Sequence, residues 1–221
     1  MVRDSLRVQV SMPGRDRSGD ALCRGFNLGD CRARAGGFTI VLQLRGALGT
    51  VRADQVLVDA TEITTAALDE EDGGDYVTKG FEVRVKGKEA AGLQLQLMLS
   101  DGFIKCKHAT DGLVWDGNSH VVSFTVDNGP RLMTCLVDDR LCDGGPFAPE
   151  GFHQVAAKMS AIGGADIRFH PAPTVRRPHA GPFGGELLNF LIYSRPLLTS
   201  EAISVARALQ ANPAAAAAGR L

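Results

Sequence analysis

The stretch Trp115–Asp139, WDGNSHVVSFTVDNGPRLMTCLVDD, reads as a strand, a tight turn and a second strand. Strand side chains alternate, so His120, Val122, Phe124 and Val126 share one face while Val121, Ser123 and Thr125 take the other. Asp127-Asn128-Gly129 supplies residues that tolerate positive φ, and Pro130, which lacks a donor, suits the turn exit. Leu132, Thr134 and Leu136 then alternate with Met133, Cys135 and Val137. Both faces of this second strand are mostly apolar, as expected inside a two-layer sandwich. Asp138-Asp139 predicts a second turn, which would set Cys135 opposite Cys142.

The same period of two recurs outward from this hairpin. Upstream, Leu6, Val8 and Val10 predict an edge strand, followed by an Arg-, Gly- and Asp-rich loop. Ile40, Leu42 and Leu44 alternate in one strand, and Val56, Val58 and Ala60 in the next. Phe81, Val83 and Val85 alternate with Glu82, Arg84 and Lys86, a half-exposed strand. Leu93, Leu95, Leu97 and Leu99 alternate with Gln94, Gln96, Met98 and Ser100, the sharpest pattern in the chain, and a short strand begins at Phe103–Lys107. After Cys142 the chain becomes irregular, with one strand near Ile167 and Phe169 and a proline-rich surface loop over Pro171–Pro182. GELLNFLIYS at Gly185–Ser194 reads as a buried strand. Thr199-Ser200-Glu201 starts a helix through about Gln210, with a hydroxyl cap and an acid in the first turn. Many strands with a single helix predict an all-β sandwich. The expected division is an edge strand and loops over 1–37, the sandwich over 38–210 and a low-complexity tail over 211–221.

The chain has 221 residues and a net charge of -1, enough length for a good core in one domain. Near neutrality gives no electrostatic case for nucleic acid or an anionic membrane. No apolar run approaches the roughly 20 residues that span a bilayer, and MVRDSLRVQVSMPGRDRSGD lacks the apolar centre of a signal peptide. Five cysteines cannot all pair. Cys23 and Cys31 bracket a glycine-containing segment and are one candidate pair, while buried thiols are the plainer reading for Cys106 and Cys135.

Three segments resemble laminin-G-like domains of the concanavalin A-like lectin superfamily. Phe38–Leu42 looks like their opening strand. Trp115, His120, Val122 and Asp127, with Leu136-Val137-Asp138, look like their tryptophan–histidine strand and its return. Gly184–Leu187 through Ile192-Tyr193-Ser194-Arg195-Pro196-Leu197 looks like their closing strand. The sequence departs at Asp139, where the family usually has glycine. The resemblance covers roughly residues 38–208 and implies a two-sheet antiparallel jelly-roll sandwich with a short C-terminal helix. It also implies a non-catalytic carbohydrate-binding or accessory module of a larger bacterial carbohydrate-active protein, in an extracellular or periplasmic setting, with a glycan or an adjacent catalytic domain as partner. A packing module without ligand is the alternative, and a glycoside hydrolase or polysaccharide lyase a distant third.

No catalytic residues are assigned. The nearest match to a glycosidase carboxylate signature, Glu70-Glu71-Asp72-Gly73-Gly74-Asp75, is broken by two glycines and lacks the apolar interleaving of a buried strand. There is no Gly-x-Ser-x-Gly, and the five histidines lack zinc spacing. Calcium is the one cofactor weighed, because carboxylates at a sheet rim are its ordinary ligands. The candidates are Asp69, Asp72 and Asp75, flanked by Glu70 and Glu71, with Asp138, Asp139 and Asp143 as a second group. Sugar sites combine an aromatic platform with planar polar groups. That criterion selects Trp115, Asp116 and Asn118 with Tyr76 beside them, and the outward Gln94 and Gln96. Trp115 as a core ring and His120 as a hydrogen-bonded structural residue are the competing readings.

Overall fold

A computed structural model describes residues 8–11, 21–23, 36–64, 77–88, 92–101, 105–110, 114–142, 152–154, 167–169 and 183–211. Sheet A runs β1 (Val8–Ser11), β13 (Glu186–Tyr193), β3 (Gly37–Ala47), β8 (Asp116–Asp127), β9 (Leu132–Val137) and β10 (Arg140–Leu141), with β11 (Phe152–Gln154) sharing the β10 edge of β9. Sheet B runs β2 (Ala21–Cys23), β12 (Ile167–Phe169), β4 (Val56–Thr64), β5 (Val77–Lys88), β6 (Gly92–Asp101) and β7 (Lys105–Ala109). Every pairing is antiparallel. The two sheets face each other across one core, the architecture expected of a sandwich.

The period-two patterns translate directly into that core. Phe38, Ile40, Leu42 and Leu44 of β3 and Val122, Phe124 and Val126 of β8 face Phe81, Val83 and Val85 of β5 and Leu93, Leu95, Leu97 and Leu99 of β6, all buried in one cluster. On β4, Leu57 is buried beside Val58 because the register shifts between Val56 and Val58, a bulge that places neighbours on one face.

Sheet A is covered on its other face as well. Helix α1 (Thr199–Ala211) lies on it, with Ala206 and Leu209 against Val41, Val121 and Leu191, and Ala202 against Leu136 and Leu197. The polar residues beneath the helix are satisfied there. Asn189 Nδ2 donates to Gln43 Oε1 at 2.6 Å, and Gln43 Nε2 reaches Ser119 Oγ at 3.2 Å and the Leu209 carbonyl at 3.4 Å. Thr39 Oγ1 accepts from Leu197 N at 2.9 Å, which fixes the chain as it enters the helix.

The helix start differs from expectation. The cap bond comes from Glu201, whose Oε2 accepts from Leu198 N at 2.9 Å, rather than from the Thr199 hydroxyl. This is the reach-back half of a capping box. The same carboxylate takes a two-pronged contact from Arg195, at 2.7 and 2.8 Å. The Arg195 hydrogen bonds and the Leu198 N–H lower the Glu201 pKa to about 2. Glu201→Ala is expected to cost about 1–2 kcal/mol at neutral pH, most of it the cap, because the ion pair is over a third exposed and screened. The depressed pKa fixes the sign. The contribution is whole above pH 4.5 and lost as pH falls toward 2, so wild-type and variant denaturation curves should converge in acid.

The turns also differ in detail. Between β8 and β9 the left-handed residue is Arg131, φ 62°, not Asn128 or Gly129, and Asp127 Oδ1 instead accepts from Gly129 N at 3.0 Å. Between β9 and β10 Asp138 itself takes φ 57°, a conformation that aspartate tolerates, so the turn forms without glycine at position 139. Cys135 and Cys142 stand opposite each other and buried, with Cys142 N donating to the Cys135 carbonyl at 2.9 Å. The Cys23–Cys31 pairing and the side chain of Cys106 lie outside the described residues. Strands β2 and β11 occupy segments that read as loop, being too short to carry a period.

Candidate functional site

With α1 on sheet A, the outer face of sheet B is the sheet surface left uncovered by the helix. Its residues are the outward half of each alternation. Pairing register lays them in rows: Arg168 opposite Asp59, Asp59 opposite Glu82, and Glu82 opposite Met98. In the next row Arg84 stands opposite Gln96, and beyond it Lys86 opposite Gln94.

The central carboxylate of this face is Glu82, only 4% exposed, whereas Gln94 and Arg168 toward its margins are exposed. Arg84 Nη1 lies 3.4 Å from Glu82 Oε1, and its Nη2 donates to Gln96 Oε1 at 3.4 Å. Both distances exceed the 2.7–3.2 Å of a well-formed N–H···O bond. Asp59 Oδ1 accepts from Thr61 N at 3.0 Å and from Thr61 Oγ1 at 2.5 Å, which pins the carboxylate beside the row. The chemistry is a guanidinium, amides and carboxylates presented from rigid strands. Such a face can bind polar, planar or anionic groups.

The sequence-selected residues divide between two places. Gln94 and Gln96 lie on the sheet B face. Trp115, Asp116 and Asn118 lie at the start of β8 in sheet A. Trp115 is a correction: its ring is 3% exposed, packs 5.8 Å from the Phe183 ring centroid and donates Nε1–H to the Leu93 carbonyl at 2.8 Å. A ring enclosed this way presents no face to a sugar. Asp116 and Asn118 are exposed but engage each other, with Asp116 Oδ1 accepting from Asn118 N and Oδ2 from Asn118 Nδ2, both at 2.8 Å. Tyr76, Asp69, Asp72 and Asp75 lie outside the described residues, as does Asp143.

Of the second calcium group, Asp138 and Asp139 are engaged within the fold. Asp138 Oδ1 accepts from Val121 N at 2.9 Å and Gln210 Nε2 at 2.6 Å, its Oδ2 meets His120 Nδ1 at 2.8 Å, and Asp139 engages Arg207 at 3.2 Å. These carboxylates serve the fold, and among the described residues no cluster of three or more His, Cys, Asp or Glu is arranged to hold a metal ion. His120, bonded on both ring nitrogens, is the structural histidine its phase with Phe124 suggested.

Sequence reasoning missed Glu82, Arg84, Asp59 and Arg168 as a group. The FEVRVK alternation placed Glu82 and Arg84 on one face. The neighbours β4, β6 and β12, which complete the face, come from separate parts of the chain.

No protein-family model matches the chain, and no curated protein matches it in sequence. Solved structures match it in shape. The CBM40 module of Ruminococcus gnavus IT-sialidase, bound to α2,3-sialyllactose, is 18% identical with a TM-score of 0.52, over 90% of this chain and 97% of that one. The binding domain of Paraclostridial Mosquitocidal Protein 1 is 15% identical with a TM-score of 0.53, over 82% of this chain and 38% of that one. The SAP-like pentraxin of Limulus polyphemus is 13% identical with a TM-score of 0.51, over 92% and 82%. At this identity the likeness is one of architecture: the chain folds as a two-sheet antiparallel jelly-roll sandwich.

Proposed function

We propose that this chain is a non-catalytic carbohydrate-binding module and that its ligand site is the outer face of sheet B. The observation that carries this reading is one sheet face that presents the Arg84 guanidinium beside the Gln96 amide, with the exposed Gln94 and Arg168 toward its margins. A carboxylate-bearing sugar is the ligand class that fits, because a guanidinium binds a carboxylate through two parallel bonds while amides and acids read hydroxyl groups. The CBM40 neighbour, which binds a sialylated trisaccharide, supports the same class. The laminin-G-like kinship rests on the closing motif IYSRPL, whose Arg195 clasps Glu201 at the helix start. An extracellular or periplasmic setting, attachment beside a catalytic domain, and a calcium ion at Asp69, Asp72 and Asp75 belong to the same proposal.

Titration calorimetry with α2,3-sialyllactose and lactose, in calcium and in chelator, tests it. Binding of the acidic sugar but not lactose is expected. Arg84→Gln should weaken it roughly 10- to 100-fold, the equivalent of losing about 1.5–3 kcal/mol of charge-assisted bonding. A folded protein that binds no acidic or neutral oligosaccharide would transfer the assignment to a packing module.

A further inference from the structure

A second polar cluster, separate from the sheet B face, sits where β8, the β9–β10 turn and α1 meet. His120 is 15% exposed in its side chain. Its Nδ1 lies 2.8 Å from Asp138 Oδ2 and its Nε2 lies 2.9 Å from Asp116 Oδ1. An ionised carboxylate only accepts, and a neutral imidazole has one N–H to give; the imidazolium alone donates to both. Asp138 is the node of the cluster. Besides His120 it receives Val121 N from β8 and Gln210 Nε2 from the last turn of α1, while its own N–H donates to the Val121 carbonyl at 2.7 Å.

We propose that His120 is a protonation-sensitive pin that fastens the C-terminal turn of α1 to the sandwich, closed when the imidazole carries both protons and loosened when it loses one. Loss of a proton leaves one carboxylate facing a ring lone pair. If that carboxylate is Asp138, the acceptor that also holds Gln210 loses the positive charge beside it. Two charged pairs flank the cluster, Arg207 of α1 with Asp139 at 3.2 Å and Arg45 of β3 with Glu186 of β13 at 3.4 Å, and the exposed Arg140 follows Asp139 at the start of β10. A cation here also suits the negative end of the helix dipole.

Burial is the largest influence on His120 and opposes its charge, but the bonds and charges of Asp138 and Asp116 outweigh it, and its pKa lies above the ordinary 6.5. Asp116 is held far below the usual carboxylate range, first by the Asn118 N–H and then by the Asn118 side chain and His120, so it remains an anion across the window. A histidine whose pKa rises on folding gives its full stabilisation below about 6.5 and loses it as pH climbs through the folded value. The pin therefore loosens on the alkaline side.

An NMR titration of the wild-type protein from about pH 5 to 9, following the His120 ring and the Gln210 side-chain amide, tests this directly. The ring should titrate with a midpoint above 6.5, and the Gln210 resonance should move with the same midpoint. The wild-type Tm should fall by a few degrees across that midpoint, and His120→Gln should remove this step. A ring midpoint at or below the ordinary value would overturn the proposal. So would a Gln210 resonance that ignores the ring, or a folded His120→Gln protein with the wild-type pH profile. If the variant does not fold, the wild-type titration decides alone.

Discussion

Replacing Trp115 with alanine is expected to destabilise the fold by about 3–5 kcal/mol, the range for truncating a large buried aromatic. At this chain length that lowers Tm by roughly 10 °C. The residue sits in the main core cluster, with Phe183 on one side and the Leu93 carbonyl held by its indole N–H. Gly46 makes the space: a Cβ there would come within 2.9 Å of Trp115 Cε3 and 2.6 Å of Val51 Cγ2. The alanine variant leaves a cavity and strips the Leu93 carbonyl of a buried partner. Trp115→Phe refills part of the volume and still loses that bond, so it should cost about 1–3 kcal/mol. Thermal and urea denaturation measure both. Sugar affinity of the folded fraction should be unchanged, and a selective loss of binding at wild-type Tm would return Trp115 to the ligand site.

Gly80→Ala is expected to cost at least about 3 kcal/mol, from a strained backbone together with a clash. Gly80 sits inside β5 at φ +105°, which L residues rarely adopt, and a Cβ would meet the Ala60 carbonyl oxygen at 2.1 Å. That carbonyl belongs to the neighbouring strand β4, paired across Thr61 and Gly80, so relief requires the strands to part. Glu82 follows two residues later on the same outer face, and the distortion should reach the proposed sugar site. Where enough folded protein survives, calorimetry should show weakened binding beside the lowered Tm. A variant with wild-type Tm would mean that β4 and β5 do not pair closely at Gly80.

How much of this was legible depended on the range of the interaction. Leu93–Leu99 and Phe81–Val85 declare their inward faces by period alone, and those faces form the core. β3 and β13 carry apolar residues on both faces, FTIVLQL and LLNFLIY. The reason is visible only once α1 covers the outer side. Trp115 read either as a core ring or as a platform, and what decides between them, its enclosure by Gly46, Leu93 and Phe183, involves residues that lie far apart in sequence. The Arg84 face was hidden for the same reason: alternation orients a residue on its own strand and is silent about which strand lies next to it. Turn chemistry was partly legible, since Asp127 and Asp138 both act in their turns, though the left-handed position fell on Arg131 in the first.

The helix lying on one sheet and not on the other divides the molecule into a half that resists change and a half that tolerates it. Along residues 37–44 of β3 and 121–126 of β8 every residue is enclosed, and Thr39, Gln43, Ser123, Thr125 and Asn189 of β13 are among the buried polar groups, so most substitutions there meet either the core or α1. On sheet B the inward leucines are equally constrained, but outward positions such as Gln94, Gln96 and Arg168 can exchange without disturbing the packing that holds their strands in place. Among descendants of such a chain, sequence drift should concentrate on that one surface, where ligand preference can be rewritten while the scaffold stays intact.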